Sequence, residues 1–399
     1  MPVSPIRTIT LGLADPHPLT AETIQQVARI LEAARLRYQR AGYEVQTLRL
    51  STRPLYDDLS DWSAARILQY CLKLQDWLTE FGLEFCSLGP MQAARSDFPL
   101  ARIEELAEII GRTGSLNATV QLATAEDGLR FEAALPAAKV MQQLARETPE
   151  GFGNFRFAIL ACVPPGTPFF PAAYHAGPSS ISLGLQGAPL VEQTLLAHQK
   201  LPGEQLDLEQ VTSWLRVALI EEALPIIAEA QAFAAEQQLA FGGIDLSPAP
   251  MGEAGITTAL ELCGFGPIGS PGTLAAASAL TAALKSTDLP TCGYCGLMLP
   301  VLEDAVLGKR WEEGQVNVHQ LLLYSMVCGT GLDTVPLPGD TPASEIAALL
   351  LDVATLAVRW NKPLSARLFP VPGKQAGDLT TFSSPYLTNT RLHSLRGKV

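Results

Sequence analysis

The feature that most constrains this chain is an alternation that never breaks. Short runs rich in branched and aromatic residues are separated, from one end to the other, by longer segments with apolar residues at helical spacing. The β-rich runs fall at residues 7–13, 44–50, 84–88, 117–122, 156–163, 180–185, 241–246, 297–302, 334–337 and 365–371, about ten strands. Helical periodicity fills 20–40, 61–81, 103–111, 211–238, 274–285 and 343–360. A strand joined to the next by a helix-length connection is the pattern of a parallel crossover, so the expected class is α/β, with helices outside a mainly parallel sheet. Periodicity alone does not say whether such a sheet closes. Two helix starts carry their own signals: Thr20 ahead of Glu22, and Asp340-Thr341-Pro342, which sets a capping side chain before a proline.

Composition bounds the rest. A chain of 399 residues that is 47% hydrophobic and 17% charged can bury a large core, and the unbroken alternation favours one domain over residues 1–385 with a polar, basic tail at 386–399 that is expected to fray. No apolar run reaches the roughly 18 residues of a spanning helix, and the first twenty residues lack an export signal, so a soluble, cytoplasmic protein is expected. With 40 acidic against 28 basic residues, and the basic ones scattered, neither nucleic acid nor membrane is an expected partner. A small-molecule ligand is, and a homodimer stays open. The seven cysteines are dispersed and expected to be reduced, apart from the pair Cys292 and Cys295, whose spacing suits a redox couple or half a zinc site but finds no second pair.

Four constellations could carry chemistry. His175, in the Pro/Gly-rich loop 163–178, could titrate in a pocket as a catalytic acid or base, or be an ordinary hydrogen-bonded loop histidine. Asp245 and Ser247 follow an apolar strand into the stiff loop 248–255, where Asp245 could be a general base or metal ligand and Ser247 a substrate contact, unless both merely satisfy loop amides. Gly269, Ser270, Gly272 and Thr273 run into a helix, where backbone amides could cradle an anion, although an ordinary helix start also explains them and the lysine of a P-loop is missing. Glu303 and Asp304 are adjacent acids after an apolar run. With Asp245 they would make an all-oxygen set for a divalent cation such as calcium, magnesium or manganese, or else lie on solvated surface. Arg367, on a strand, could orient an anionic substrate.

Taken in order, Arg7-Thr8-Ile9-Thr10-Leu11-Gly12, Tyr174-His175-Ala176-Gly177, Ile244-Asp245-Leu246-Ser247-Pro248-Ala249-Pro250, Gly269-Ser270-Pro271-Gly272-Thr273, Pro300-Val301-Leu302-Glu303-Asp304 and Gly331-Leu332-Asp333 resemble the domain-of-unknown-function 711 family. The resemblance runs through nearly the whole chain. It implies a ten-stranded α/β barrel similar to that of pyruvate formate-lyase and ribonucleotide reductase. It does not imply radical chemistry, because the C-terminal region reads Phe382-Ser383-Ser384-Pro385-Tyr386 and lacks a glycyl-radical signature. Cys292 and Cys295 depart from a segment that is rich in glycine and serine in the family. No activity transfers from the resemblance. The residues themselves point to an enzyme acting on a small anionic metabolite, or alternatively to a non-catalytic small-molecule binding or sensing protein.

Overall fold

The computed structural model describes residues 4–395, apart from 200, 202 and 251. It contains ten strands: β1 (Ile6–Gly12), β2 (Val45–Ser51), β3 (Phe85–Met91), β4 (Leu116–Thr124), β5 (Gly128–Leu129), β6 (Phe157–Ala161), β7 (Ser180–Leu185), β8 (Ala240–Asp245), β9 (Gly331–Pro338) and β10 (Leu364–Val371). They form one sheet in the order β8-β7-β1-β2-β3-β4-β6-β10-β9, with the short β5 paired to β4. The central block β1-β2-β3-β4-β6 is parallel throughout. Each side of it is flanked by a parallel pair running the opposite way, β7–β8 joined antiparallel at β1 and β9–β10 joined antiparallel at β6.

Nine of the expected strands are present. The tenth, 297–302, is not a strand: Pro300 has no N–H to give to a ladder, and Gly296 is wedged backbone to backbone against Gly329. The longer stretch 291–301 that contains it nevertheless lies between the two sheet edges. Cys292 N–H donates to Ile244 O (3.1 Å) at the β8 edge, and Val301 N–H donates to Asp333 O (3.2 Å) at the β9 edge. Both edges therefore reach one irregular segment, and the sheet curls toward it, but the strand ladder itself does not close.

The helices pack outside by the usual logic of a single apolar stripe. Helix Ala21–Arg40 starts where the Thr20 hydroxyl accepts from Thr23 N–H (3.3 Å), and it buries Ile24, Val27, Leu31, Ala34 and Tyr38. Each large aliphatic of that stripe contributes about 1.5–3 kcal/mol by leaving water. Helix Ala343–Trp360 differs from expectation: its N-cap is Pro342, and neither Asp340 nor Thr341 caps it with a side chain. Residues 386–395 are packed against the body of the protein. Thr388 and Thr390 bond to Leu302 O and Gly308 O, Trp311 Nε1 donates to Arg391 O (3.1 Å), and Leu392 is buried; residues 396–399 lie outside the described residues. Among the described residues no helix is long and apolar enough to cross a membrane.

Candidate functional site

Inside the curl of the sheet is a cavity of about 70 Å³, several times the ~10–15 Å³ that one water requires. Its basic wall comes from Arg7 on β1 and Arg49 on β2; its acidic side from Glu303 and from Asp333 on β9; Arg367 on β10 stands among them. Asn117, Tyr294 and Ser365 add polar atoms, and Phe85, Phe155, Phe169, Phe170 and Met298 supply apolar surface. Three guanidinium groups face two carboxylates, leaving one net positive charge.

The three arginines are not equivalent. Arg367 is pinned: Nε donates to Asp333 Oδ1 (2.7 Å), Nη2 to Glu303 Oε1, and Nη1 to Phe155 O (3.4 Å), with the guanidinium 4.7 Å from the Phe155 ring centre. Burial disfavours its charge, but Asp333 and Glu303 hold it above the ordinary arginine value. Arg7 reaches Gln186 Oε1 (3.1 Å) and Gln46 Oε1 (3.4 Å). Arg49 is 7% exposed, its guanidinium lies between the rings of Phe85 and Phe170 at 5.2 Å from each, and only Nε has a hydrogen bond, to Thr47 Oγ1 (3.0 Å). Its two terminal nitrogens meet no acceptor and no carboxylate among the described residues. Burial, with Arg7 and Arg367 nearby, pulls Arg49 down to about 9, still charged at neutral pH. Burial likewise raises the Glu303 carboxyl, and Arg367 opposes that rise.

Two of the sequence candidates, Glu303 and Arg367, thus belong to the cavity. The others do not line it. His175 Nε2–H donates to Pro178 O (2.9 Å) and Gly177 O (3.2 Å), and its ring fills the space above Gly12, where a Cβ would stand 2.2 Å from Nδ1. It is a buried loop histidine, displaced below its usual value mainly by burial.

Asp245 is fully buried, and all its bonds come from donors: Ser247 N–H (2.9 Å), Ser247 Oγ–H (2.6 Å) and Cys295 N–H (3.0 Å) on Oδ1, Tyr294 N–H (2.8 Å) on Oδ2. Burial pushes this carboxyl up and those bonds pull it back. A set made only of donors matches the ionised form. Ser247 also accepts from Gly296 N–H (3.1 Å), so Asp245 and Ser247 fasten the 292–296 turn rather than a ligand. Asp304 caps helix Ala305–Glu312 through Val306 and Leu307 N–H and accepts from Thr257 Oγ–H (2.8 Å). The expected cation set Asp245, Glu303 and Asp304 is therefore not brought together: each is spent on separate protein donors, and no group of three potential ligands occurs among the described residues.

The glycine-rich turn closes on itself. Gly269 N–H donates to Thr273 Oγ1 (3.2 Å), Ser270 N–H to Pro267 O (3.0 Å) and Thr273 N–H to Ser270 O (3.2 Å), which uses amides an anion would need. Gly272 has φ 101°, and a Cβ there would lie 2.2 Å from Phe265 Cδ1, so its glycine is required by packing. Cys292 and Cys295 sit beside Asp245, and burial, followed by that carboxylate, raises both thiols well above their usual value.

Sequence reasoning missed Arg7, Arg49, Asn117, Asp333 and Tyr294 as site residues. It looked to loops at the carboxyl ends of strands, whereas Arg7, Phe85, Asn117 and Ala158 lie at or near the starts of their strands. The trace in the sequence is ambiguous: an arginine set inside an apolar strand run, as in Leu48-Arg49-Leu50, suits a solvent-facing position as well as an inward one.

Fold and cavity together define an α/β protein with a cavity lined by three arginines and two carboxylates. The family model described as Uncharacterised ACR (DUF711) matches residues 4–384, and the chain belongs to that family. Similar proteins include the UPF0210 proteins of Pyrobaculum arsenaticum (29% identical, over 96% of this chain and 88% of the relative) and Halothermothrix orenii (27%, over 94% and 88%). Another, from Pyrobaculum aerophilum, is 30% identical over 85% of this chain and 76% of the relative. Among solved structures, the anaerobic ribonucleotide reductase from Thermotoga maritima in complex with dATP and CTP aligns with a TM-score of 0.45 at 10% identity, covering 91% of this chain and 75% of that one.

Proposed function

We propose that the cavity is the active site of an enzyme acting on a small organic anion. Arg49 and Arg7 hold the negative charge, and Glu303, set against Arg367 and Asp333, exchanges protons with the bound molecule. The observation that carries this reading is Arg49, a buried guanidinium whose terminal nitrogens lack partners at a cavity. A bound anion would supply the charge partner that no described protein group gives those nitrogens. Glu303 supports the chemical half: burial and Arg367 pull its proton affinity in opposite directions, the arrangement by which carboxyls are tuned for proton transfer. The same reading takes the curled sheet and segment 290–301 as one barrel of the pyruvate formate-lyase type, supported by the bonds that both edge strands make to that segment.

Native mass spectrometry of protein purified without chelator, followed by NMR of a mixture of small organic acids incubated with wild type, Arg49→Met and Glu303→Gln, tests it. The expected result is binding that depends on Arg49 and turnover that depends on Glu303. Binding with no turnover of any acid overturns the enzyme reading in favour of a non-catalytic binding protein, which the prior engagement of Glu303 and Asp333 by Arg367 would then explain.

A further inference from the structure

We infer that the ligand is a hydroxylated organic anion: besides the negative group at Arg49 it carries a hydroxyl that donates to Asp333 and Asn117. This rests on the anion-site reading above and adds a second recognition element in the same cavity.

The cavity wall has hydrogen-bonding capacity of two kinds left unmet. On the donor side stand the two terminal nitrogens of Arg49. On the acceptor side, Asn117 on β4 borders the cavity, is 2% exposed and spends its Nδ2–H on Ser115 O (3.0 Å). A carbonyl oxygen accepts only from a donor, so that bond fixes which way the amide points and leaves Oδ1 with no donor among the described residues. Asp333 accepts from Arg367 Nε at Oδ1 (2.7 Å), and its Oδ2 likewise has no donor among the described residues. The neighbouring hydroxyls do not fill these places. Tyr294 O–H donates to Ser365 Oγ (3.1 Å) and Ser365 Oγ–H to Thr330 O (2.9 Å), so both are spent within the wall.

A buried acceptor without a donor costs free energy that a ligand's donor restores. An anion with no other polar group brings acceptors alone; it satisfies Arg49 and leaves Asn117 and Asp333 unchanged. A ligand that meets both halves of the wall brings a donor as well. That donor is a hydroxyl rather than an ammonium. Asp333 is already paired with the Arg367 guanidinium, Asn117 is neutral, and an ammonium would add a cation to a wall that holds Arg7, Arg49 and Arg367. An O–H makes the same hydrogen bond without the charge.

The experiment measures binding by calorimetry on the full chain at matched ionic strength. Its probes are pairs that differ by hydroxyls, propionate against lactate and hexanoate against gluconate, with alanine as the ammonium counterpart of lactate. In wild type each hydroxylated anion should bind at least roughly tenfold more tightly than its partner. In Asp333→Asn the amide oxygen stays on Arg367 Nε and an NH2 replaces Oδ2, so that preference should fall to about threefold or less. Both members of a pair feel the same change of charge, and their ratio therefore reads the hydroxyl. Asn117→Leu should lower the same ratio, and it serves if Asp333→Asn does not fold. Arg49→Met, or Arg49→Lys should the first not fold, should weaken both members of each pair alike. Equal binding within the pairs in wild type, a preference that survives both Asp333→Asn and Asn117→Leu, or alanine binding above lactate would overturn the hydroxylated class while leaving the anion site. No binding of any probe, or binding indifferent to Arg49, would overturn the anion site and this inference with it.

Discussion

Asp245 and Glu303 are both buried carboxylates at the ends of apolar runs, and they have opposite fates. Asp245 is surrounded by four donors, two of them backbone amides of the turn it fastens and two on Ser247, and no part of it borders the cavity. Glu303 is held by another side chain, Arg367, and does border it. The difference teaches that burial does not mark a working carboxylate; the origin of its partners does. Backbone donors hold a charge for the fold, while a side-chain cation beside open space can exchange one partner for a ligand.

The largest test of that contrast is Asp245→Ala, which strands buried amides of Tyr294 and Cys295. We expect a loss of about 4 kcal/mol in chemical denaturation; a loss under about 1 kcal/mol would break the assignment of Asp245 to the fold. A third buried group calibrates the scale. His17 bonds to Tyr70 OH (2.7 Å) and Thr52 Oγ1 (2.9 Å), with Asp58 and Arg53 nearby, and burial drives it from 6.5 to about 4. Between those values the unfolded chain binds the proton and the fold does not, so stability falls as pH drops through this window. Wild type should be about 2 kcal/mol less stable at pH 5 than at pH 7 on this account, and His17→Gln should shrink that difference measurably.

Glu303→Gln should be milder for the fold, costing about 1 kcal/mol, because the amide oxygen can still accept from Arg367. It removes a negative charge from the cavity, so a small organic anion that binds wild type should bind roughly tenfold more tightly; weaker binding in calorimetry would place Glu303 on the ligand as an acceptor instead. Smallest in stability is Arg49→Met, expected within about 1 kcal/mol of wild type since it replaces an uncompensated buried charge by apolar volume. A loss above about 3 kcal/mol would show Arg49 to be part of the fold after all.

The alternation of strands and helices was legible because each element buries one face, and that demand writes a period into the residues. Segment 297–302 looked like a strand for its apolar run, but its backbone is steered by Pro300 and by the Gly296–Gly329 approach, which hydrophobicity does not encode. Glu303 and Arg367 were legible as charges next to apolar strands. Arg49 was not, because an arginine between two leucines reads equally as a solvent-facing strand position; only the curl of the sheet turns it inward. His175 and the 269–273 turn drew attention by residue type, and their partners turned out to be their own neighbouring backbone groups.

The first strand and the last strand of the sheet lie near opposite ends of the chain, and each puts an arginine, Arg7 or Arg367, into the same small space. β1 and β10 do not pair with each other, and contacts across that sequence separation require long loops to close. The chamber is therefore absent from any partly folded state that lacks either strand. A ligand in it should slow hydrogen exchange at β1 and β10 together, since opening either one empties it.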